Sequence, residues 1–246
     1  MKLLVIACTH GNEKYGLKVL NRIRGVEVLV GNQLAVKNNE RFIDCDLNRC
    51  FPGKKNGNHE EKFAFELVEK LKNYDFVLDL HSCSQESELF GIITKPDKEK
   101  IEFAKKLGLK KIILMNENLA KGKALIDFCK CGISLEVGPH KREENVGEVL
   151  DIIDNFLESK IQNRNLEIFE IFSLIKADYK KSFLTNFRRV GKGDLIAIGK
   201  KKYFAEFDFI PVLANEEEYK DVLCLAARRV NLKYTKSYDE YEKTNI

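Results

Sequence analysis

Short apolar runs alternate with amphipathic segments over about the first 160 residues of the chain. The pattern predicts buried strands at Leu3 to Ala7, Phe76 to Leu80, Phe90 to Thr94, Lys110 to Met115 and Ile133 to Val137. Runs of this length that are apolar on both faces are typical of parallel strands covered by helices on two sides. The chain is therefore expected to form an α/β fold with a mainly parallel sheet.

Helical spacing of apolar residues fills the stretches between these runs. Helices are predicted from about Glu13, from near His59, from Asp97 to about Leu107, and from Glu143 to Lys160. Asp97 has the side chain of a helix N-cap, and Gly108 suits the C-terminal end of that helix. Two further short strands, Val26 to Val30 and Gln33 to Val36, are predicted as a hairpin around Gly31-Asn32.

The pattern changes beyond about Arg164. Short strand-like segments at Leu195 to Ile198, Tyr203 to Phe209 and Pro211 to Ala214 are separated by glycine-containing turns. This favours an α/β domain over residues 1-163, followed by a small all-β domain over residues 164-246.

Composition limits the classes of protein that the chain can belong to. Its 246 residues, 44% apolar and 33% charged, are typical of an ordered globular chain and exclude a disordered one. The 42 basic and 38 acidic side chains give a net charge of +4, which argues against nucleic-acid binding. No apolar run is long enough to cross a membrane. Seven scattered cysteines, an odd number, indicate reduced thiols and a cytoplasmic location.

Polar side chains stand at the carboxyl ends of three predicted strands. The first strand leads into Thr9-His10-Gly11-Asn12-Glu13, Phe76 to Leu80 leads into His81, and Ile133 to Val137 carries Glu136. Ligands of open parallel sheets bind outside the carboxyl ends of the strands. We therefore expect these side chains to meet at one edge of the sheet.

Two histidines and one carboxylate with an open fourth position form a catalytic zinc set. His10 and Glu13, three residues apart at a strand-to-helix corner, can converge with His81 on one ion. The sequence thus predicts one Zn²⁺ per chain, with Asp79 as a partner that orients a ligand. Glu136 is the candidate general base, because a carboxylate near activated water can take its proton.

A segment dense in polar groups, residues 39 to 53, has the composition of an ordered binding loop. Arg49 can hold a carboxylate bidentately, and Asn48 can add a directional donor. Arg41 can polarise a carbonyl group or stabilise an oxyanion.

Four motifs in this order resemble the succinylglutamate desuccinylase and aspartoacylase family. They are His10-Gly-Asn-Glu13, the Asp-Cys-Asp-Leu-Asn-Arg core between Arg41 and Phe51, Asp79-Leu-His81, and Leu135-Glu-Val-Gly138. The stretch Pro211 to Tyr219 is similar to the family segment with a substrate-binding tyrosine.

The resemblance implies a three-layer α/β/α, zinc-carboxypeptidase-like domain whose active site is partly covered by a small β domain. It implies zinc on His10, Glu13 and His81, with Glu136 activating water and Arg41 polarising the acyl carbonyl. It also implies that Asn48 and Arg49 hold the carboxylate of the amino-acid part and that Tyr219 closes over it. These are the expected residue roles.

The expected activity is hydrolysis of an N-acyl amino acid, a small molecule. A zinc carboxypeptidase for short peptides and a non-catalytic metal-binding relative are the alternatives, and the sequence leaves open whether identical chains associate. The family arginine for the substrate's side-chain carboxylate has no clear counterpart, and Lys123 is the candidate substitute. The identity of the acyl group and of the amino acid therefore stays open.

Overall fold

The computed structural model describes residues 2–115, 122–140, 142, 144–158, 165–219, 221–235 and 240–245. Thirteen strands lie within these ranges. In chain order they are β1 (Leu3–Ala7), β2 (Glu27–Val30), β3 (Phe76–Cys83), β4 (Phe90–Ile93), β5 (Lys111–Leu114), β6 (Gly132–Pro139), β7 (Glu167–Lys176), β8 (Tyr179–Ser182), β9 (Leu195–Gly199), β10 (Lys202–Phe204), β11 (Ile210–Val212), β12 (Val222–Thr235) and β13 (Glu240–Asn245).

Ten of these strands form one mixed sheet in the order β11-β12-β7-β5-β4-β6-β3-β1-β2, with β13 paired to β12. The pairs of β1 with β2 and β3, of β3 with β6, and of β5 with β4 and β7 are parallel. The β4–β6 pair and the pairs made by β12 are antiparallel. The prediction of an α/β fold with a mainly parallel, mixed sheet is therefore confirmed.

Helices cover both faces of this sheet. They are α1 (Tyr15–Arg22), α2 (Gln33–Asn38), α3 (His59–Leu71), α4 (Lys98–Lys106) and α5 (Glu144–Leu157), with 3-10 helices at Leu47–Arg49 and Leu125–Phe128. No helix in the described ranges is both long enough and apolar enough to cross a membrane.

The alternation of side chains along β1 shows how the layers are built. Leu3, Val5 and Ala7 pack into the core that α1, α4 and α5 share with one face of the sheet. Leu4 and Ile6 point to the other face, where α3 and the two 3-10 helices cover them. Since successive strand residues point to opposite faces, an apolar run without interruption is what a strand in the middle layer requires.

The predicted hairpin around Gly31-Asn32 is wrong. β2 pairs parallel to β1, and residues Gln33–Asn38 form helix α2 instead of a second strand. Asn32 is the N-cap of this helix, because its side-chain oxygen accepts the N–H of Ala35 at 3.2 Å. The side chain of Asn32 is itself held by Glu60, which lies 28 residues away in the sequence. A tertiary contact thus selects the helix.

The C-terminal part is divided between two sheets. β7 extends the main sheet beside β5, and β12 continues it on the other side of β7. β8, β9 and β10 form a separate antiparallel sheet. The expected boundary between residues 163 and 164 lies outside the described residues, and the division into 1-163 and 164-246 remains our proposal.

Candidate active site

The carboxyl ends of three neighbouring parallel strands meet at one edge of the main sheet. β1 is followed by His10 and Glu13, and β3 carries His81 near its C-terminal end. Glu136 of β6 lies opposite His81 in the β3–β6 register. The structure brings these four side chains together, because adjacent parallel strands end side by side.

His10, Glu13 and His81 offer ligand atoms that all lie within 4.8 Å of one another, and all three residues are buried. The Glu13 carboxylate lies 2.7 Å from His10 Nδ1 and 3.1 Å from His81 Nδ1. Two imidazole nitrogens and one carboxylate oxygen form a donor set that suits zinc with an open position. The residues present therefore fit a catalytic zinc ion.

The second nitrogen of each histidine is held by another carboxylate. His10 Nε2 lies 3.0 Å from Asp46 Oδ1, and His81 Nε2 lies 2.7 Å from Asp79 Oδ2. Asp79 is fully buried and also accepts the hydroxyl of Thr9 at 2.7 Å. Carboxylates in this position fix the orientation of a metal-binding imidazole and make it more basic. Burial alone would lower the pKa of His81, but Asp79 and Glu13 raise it well above its usual value.

The main chain between β1 and Glu13 needs unusual geometry. A Cβ atom on Gly11 would lie 2.2 Å from the carbonyl carbon of Ala35 and 2.5 Å from Glu40 O. Glycine is therefore required there for close approach of the two segments. Cys8, just before the motif, has a positive φ of 59°. Such strain costs on the order of 1–3 kcal/mol and is concentrated at functional sites.

Glu136 is a partly buried acid whose hydrogen bonding is incomplete. Its Oε2 atom is buried without a hydrogen-bond partner among the described residues, and the side chain lines the cavity beside the histidines. Burial, with the neighbouring Glu13 and Glu216 carboxylates, raises the pKa of Glu136 to about 7. A group that can hold or release a proton near neutral pH suits general acid and base catalysis.

The loop predicted to bind substrate carries its side chains to the same cavity. Arg41 places Nη1 3.8 Å from Glu13 Oε1 and Nη2 3.3 Å from Asp46 Oδ2. Arg49 is exposed at the mouth, where its Nη2 lies 3.5 Å from the hydroxyl of Tyr219. The Tyr219 ring also makes a cation–π contact with Arg41, with 5.9 Å between the guanidinium carbon and the ring centre. Two arginines and a tyrosine from distant parts of the sequence thus surround the entrance.

Asn48 is buried below the arginines and links three segments. Its Nδ2 lies 3.1 Å from His81 Nε2, and its Oδ1 accepts the N–H of Leu125 at 2.9 Å. The residue lines the cavity. It also holds the second 3-10 helix next to His81.

Glu60 has a structural role that the sequence analysis missed. Its fully buried carboxylate accepts hydrogen bonds from the Asn32 side chain and from the main-chain N–H groups of Ile43, Asp44 and Cys45. This carboxylate fixes the loop between Arg41 and Asp46. The helix-start pattern near His59 was visible in the sequence, but no local signal showed that the second helical residue faces inward.

Within the same loop, the sulfur atoms of Cys45 and Cys50 lie next to each other. The turn that carries Asp46 to Arg49 brings the two residues together. Among the described residues, Cys8, Cys83, Cys129, Cys131 and Cys224 are free.

The site opens into a cavity of about 350 Å³. Glu216, which the sequence analysis did not single out, lines it and accepts the N–H and the hydroxyl of Ser84, each at 2.8 Å, through Oε2. Its Oε1 is buried without a partner among the described residues, and burial raises its pKa. Lys123 is exposed and is not among the described residues that line the cavity, so the structure does not bring this candidate to the site.

Comparison with known proteins agrees with this geometry. Residues 1–158 match the model of the succinylglutamate desuccinylase/aspartoacylase catalytic domain. A probable aspartoacylase of Acaryochloris marina is 28% identical over 162 residues, 56% of this chain and 55% of that protein. A probable aspartoacylase of Trichodesmium erythraeum is 27% identical over 218 residues, 74% of each chain.

Among solved structures, murine aminoacylase 3 superposes with a TM-score of 0.76 at 20% identity, covering 93% of this chain and 95% of that one. At this identity the likeness shows a shared fold. The match over residues 1–158 covers more than half of the sequence and contains His10, Glu13, His81 and Glu136. The chain is therefore a member of the succinylglutamate desuccinylase/aspartoacylase family.

Proposed function

We propose that this chain is a cytoplasmic, zinc-dependent hydrolase that cleaves the amide bond of an N-acyl amino acid and releases a carboxylate and a free amino acid. The observation that carries the proposal is the cavity that Glu136 shares with His10, Glu13 and His81. Glu136 offers a buried oxygen that has no hydrogen-bond partner in the described ranges, next to three metal-ligand side chains that leave one position open. Hydrolysis of an unactivated amide requires such an arrangement of base and metal site.

Zinc, when bound by His10, Glu13 and His81, would supply Lewis acidity that polarises a carbonyl group and acidifies water. Glu136 takes a proton from the attacking water and gives it to the leaving amine nitrogen as the C–N bond breaks. Arg41, held by Asp46 and Glu13, donates to the carbonyl oxygen where negative charge develops.

The amino-acid end of the substrate is assigned to the mouth of the cavity. Arg49 binds its carboxylate with two parallel hydrogen bonds, a geometry that a guanidinium favours. Asn48 borders the same space from below, and the Tyr219 hydroxyl lies next to the Arg49 guanidinium. A substrate held at this point presents its amide to Glu136.

The decisive experiment compares Glu136→Gln with the wild-type chain after loading with zinc. We expect kcat for N-acyl amino acids to fall on the order of 10²-fold to 10⁴-fold, because the general base is lost. Zinc content, measured by metal analysis, should stay at one ion per chain. Glu148→Gln, an exposed position on α5, is the matched control and should retain wild-type kcat.

The substrates are N-acetylaspartate, N-succinylglutamate and dipeptides, assayed side by side. Faster cleavage of the dipeptides would favour a carboxypeptidase. A protein that contains no divalent metal and gains no thermal stability from added zinc would instead be a non-catalytic relative. An undiminished rate for zinc-loaded Glu136→Gln would refute the role of Glu136.

A further inference from the structure

One wall of the cavity is apolar and takes no part in the mechanism described above. It is formed by Ile92, Met115, Leu174, Leu213, Val222 and Leu225. These residues lie on or directly after β4, β5, β7, β11 and β12, so five strands contribute to one surface. Leu174 and Leu225 are directly paired across β7 and β12. The surface is therefore held by main-chain pairing and not by a loose loop.

Strand order places this wall on the far side of the catalytic residues from the arginine loop. β6, which carries Glu136, lies between β3 and β4, and the wall belongs to β4 and to the strands beyond it. The 3-10 helix that ends at Arg49 packs on the opposite side, against residues of β1 and β3. A substrate with its carboxylate at Arg49 and its amide at Glu136 would extend its acyl group along the apolar wall.

The charges that line the cavity disfavour an acidic acyl group. Among the described residues, Arg41 and Arg49 are the arginine or lysine side chains that line it. Arg49 stands at the carboxylate end, and Arg41 is held at the scissile amide by Asp46 and Glu13, so neither lies along the apolar wall. Glu136 and Glu216 face the interior instead, and each has a buried oxygen with no hydrogen-bond partner in the part of the chain that the structure describes. A second carboxylate on the acyl group would be buried without a cation and close to two acids, which is costly.

We propose, on the basis of the proposed deacylase function, that the preferred acyl group is an uncharged aliphatic chain longer than acetyl, bound by the wall from Ile92 to Leu225. Each additional methylene group of the acyl chain that is buried against apolar side chains should raise kcat/KM by up to about fourfold. A cavity of about 350 Å³ is at the lower end of the range for ligand pockets, so the gain should end with chains of moderate length.

The test uses the full, zinc-loaded chain and a series of N-acetyl, N-butanoyl, N-hexanoyl and N-succinyl derivatives of alanine, phenylalanine and aspartate. We expect kcat/KM to rise by about tenfold or more from acetyl to hexanoyl. Succinyl should be the poorest of the four acyl groups, whichever amino acid carries it.

Two variants test whether the wall is responsible. Leu174→Phe fills the space, so the ratio of kcat/KM for hexanoyl over acetyl substrates should fall by at least tenfold. Met115→Lys adds a cation, so the ratio of succinyl over hexanoyl substrates should rise by at least tenfold, a gain that misfolding cannot produce. Phe172→Leu, an exposed position on the same strand as Leu174, is the control and should leave both ratios unchanged.

Product binding separates this inference from the proposed function. Calorimetric titration of the zinc-loaded protein with hexanoate and succinate should show tighter binding of hexanoate. If no substrate is hydrolysed but hexanoate binds more tightly than succinate, the deacylase proposal fails and the assignment of the wall is supported. If succinyl or acetyl substrates are preferred, or if succinate binds more tightly than hexanoate, the inference is overturned.

Discussion

Replacement of Glu60 by glutamine tests how the active-site loop is held. The fully buried Glu60 carboxylate is the common acceptor for the side chain of Asn32 and the N–H groups of Ile43, Asp44 and Cys45. Glu60→Gln keeps the size of the side chain but replaces one acceptor oxygen by an NH₂ donor. If the amide nitrogen takes the place of Oε2, the N–H groups of Asp44 and Cys45 lose their acceptor.

The expected loss of stability follows from these two hydrogen bonds. A hydrogen bond to a charged acceptor contributes about 1.5–3 kcal/mol, so the free energy of unfolding should fall by about 3–6 kcal/mol at pH 7. For a chain of this size the melting temperature should fall on the order of 10 °C. Urea unfolding and scanning calorimetry measure both quantities.

The pH dependence of stability tests the contribution of the Glu60 carboxylate independently. Burial opposes ionisation of Glu60, but the N–H group of Ile43 and the other donors outweigh it and lower the pKa below its usual value. The stabilisation by Glu60 is therefore present above about pH 4.5 and is lost as the pH falls through the lowered pKa. The difference between wild type and Glu60→Gln should narrow towards pH 3.

Activity should fall with stability, because the loop that Glu60 fixes carries Arg41. A displacement of about 1 Å costs on the order of 10²-fold in rate, and we expect that loss in kcat/KM. Glu66→Gln, an exposed position on the same helix, is the control and should behave like wild type. A Glu60→Gln protein with unchanged melting temperature and unchanged kcat/KM would refute the reasoning.

Three other changes probe the site. Asp79→Asn removes the carboxylate that orients His81, so zinc affinity in competition with a chelator should weaken about 10-fold to 100-fold; an unchanged affinity would contradict this role. Arg49→Lys should raise KM at least tenfold, because an ammonium cannot bind a carboxylate bidentately; a KM unchanged in steady-state assays would exclude bidentate binding of the substrate carboxylate by Arg49. In the metal-free protein, the pKa of Glu136 is raised to about 7, so the folded state favours the protonated carboxyl group. The free energy of unfolding should therefore fall as the pH rises from about 4.5 to 7 and this group ionises. Metal-free Glu136→Gln should therefore be more stable than wild type at pH 8, by up to about 3 kcal/mol in urea unfolding, and equal stability would contradict the raised pKa.

Much of the central sheet could be predicted because its strands are short and mainly apolar. Leu3 to Ala7 is too short for a buried helix and has no polar face, so a covered parallel strand is the structure that suits it. Ile133 to Val137 is equally short, and its polar residues Ser134 and Glu136 share one face. From that assignment, the meeting of His10, His81 and Glu136 follows, since parallel strands deliver their last residues to one edge. The convergence of these three residues did not depend on knowledge of the loops.

The features that could not be predicted depend on partners distant in the sequence. Gln33 to Val36 has no strong local preference, and the contact between Asn32 and Glu60 selects the helix. The position of Lys123 could not be derived either, because its segment has no regular period from which to place a side chain. In both cases the local sequence is compatible with more than one conformation.

The balance of charge at the site connects the proposed metal binding and catalysis with the folding of the loop. Glu13, Asp46 and Asp79 surround two imidazole rings, and Glu136 lines the same cavity with an oxygen that has no partner among the described residues. So many closely spaced acids would repel one another unless cations offset them. Arg41 neutralises part of this charge from the loop that Glu60 holds, and a divalent ion at the histidines would neutralise more. If the proposed zinc site is correct, the carboxylates that orient its histidines also create the negative field that attracts the ion, so a substitution in the loop should change zinc affinity even where it touches no ligand.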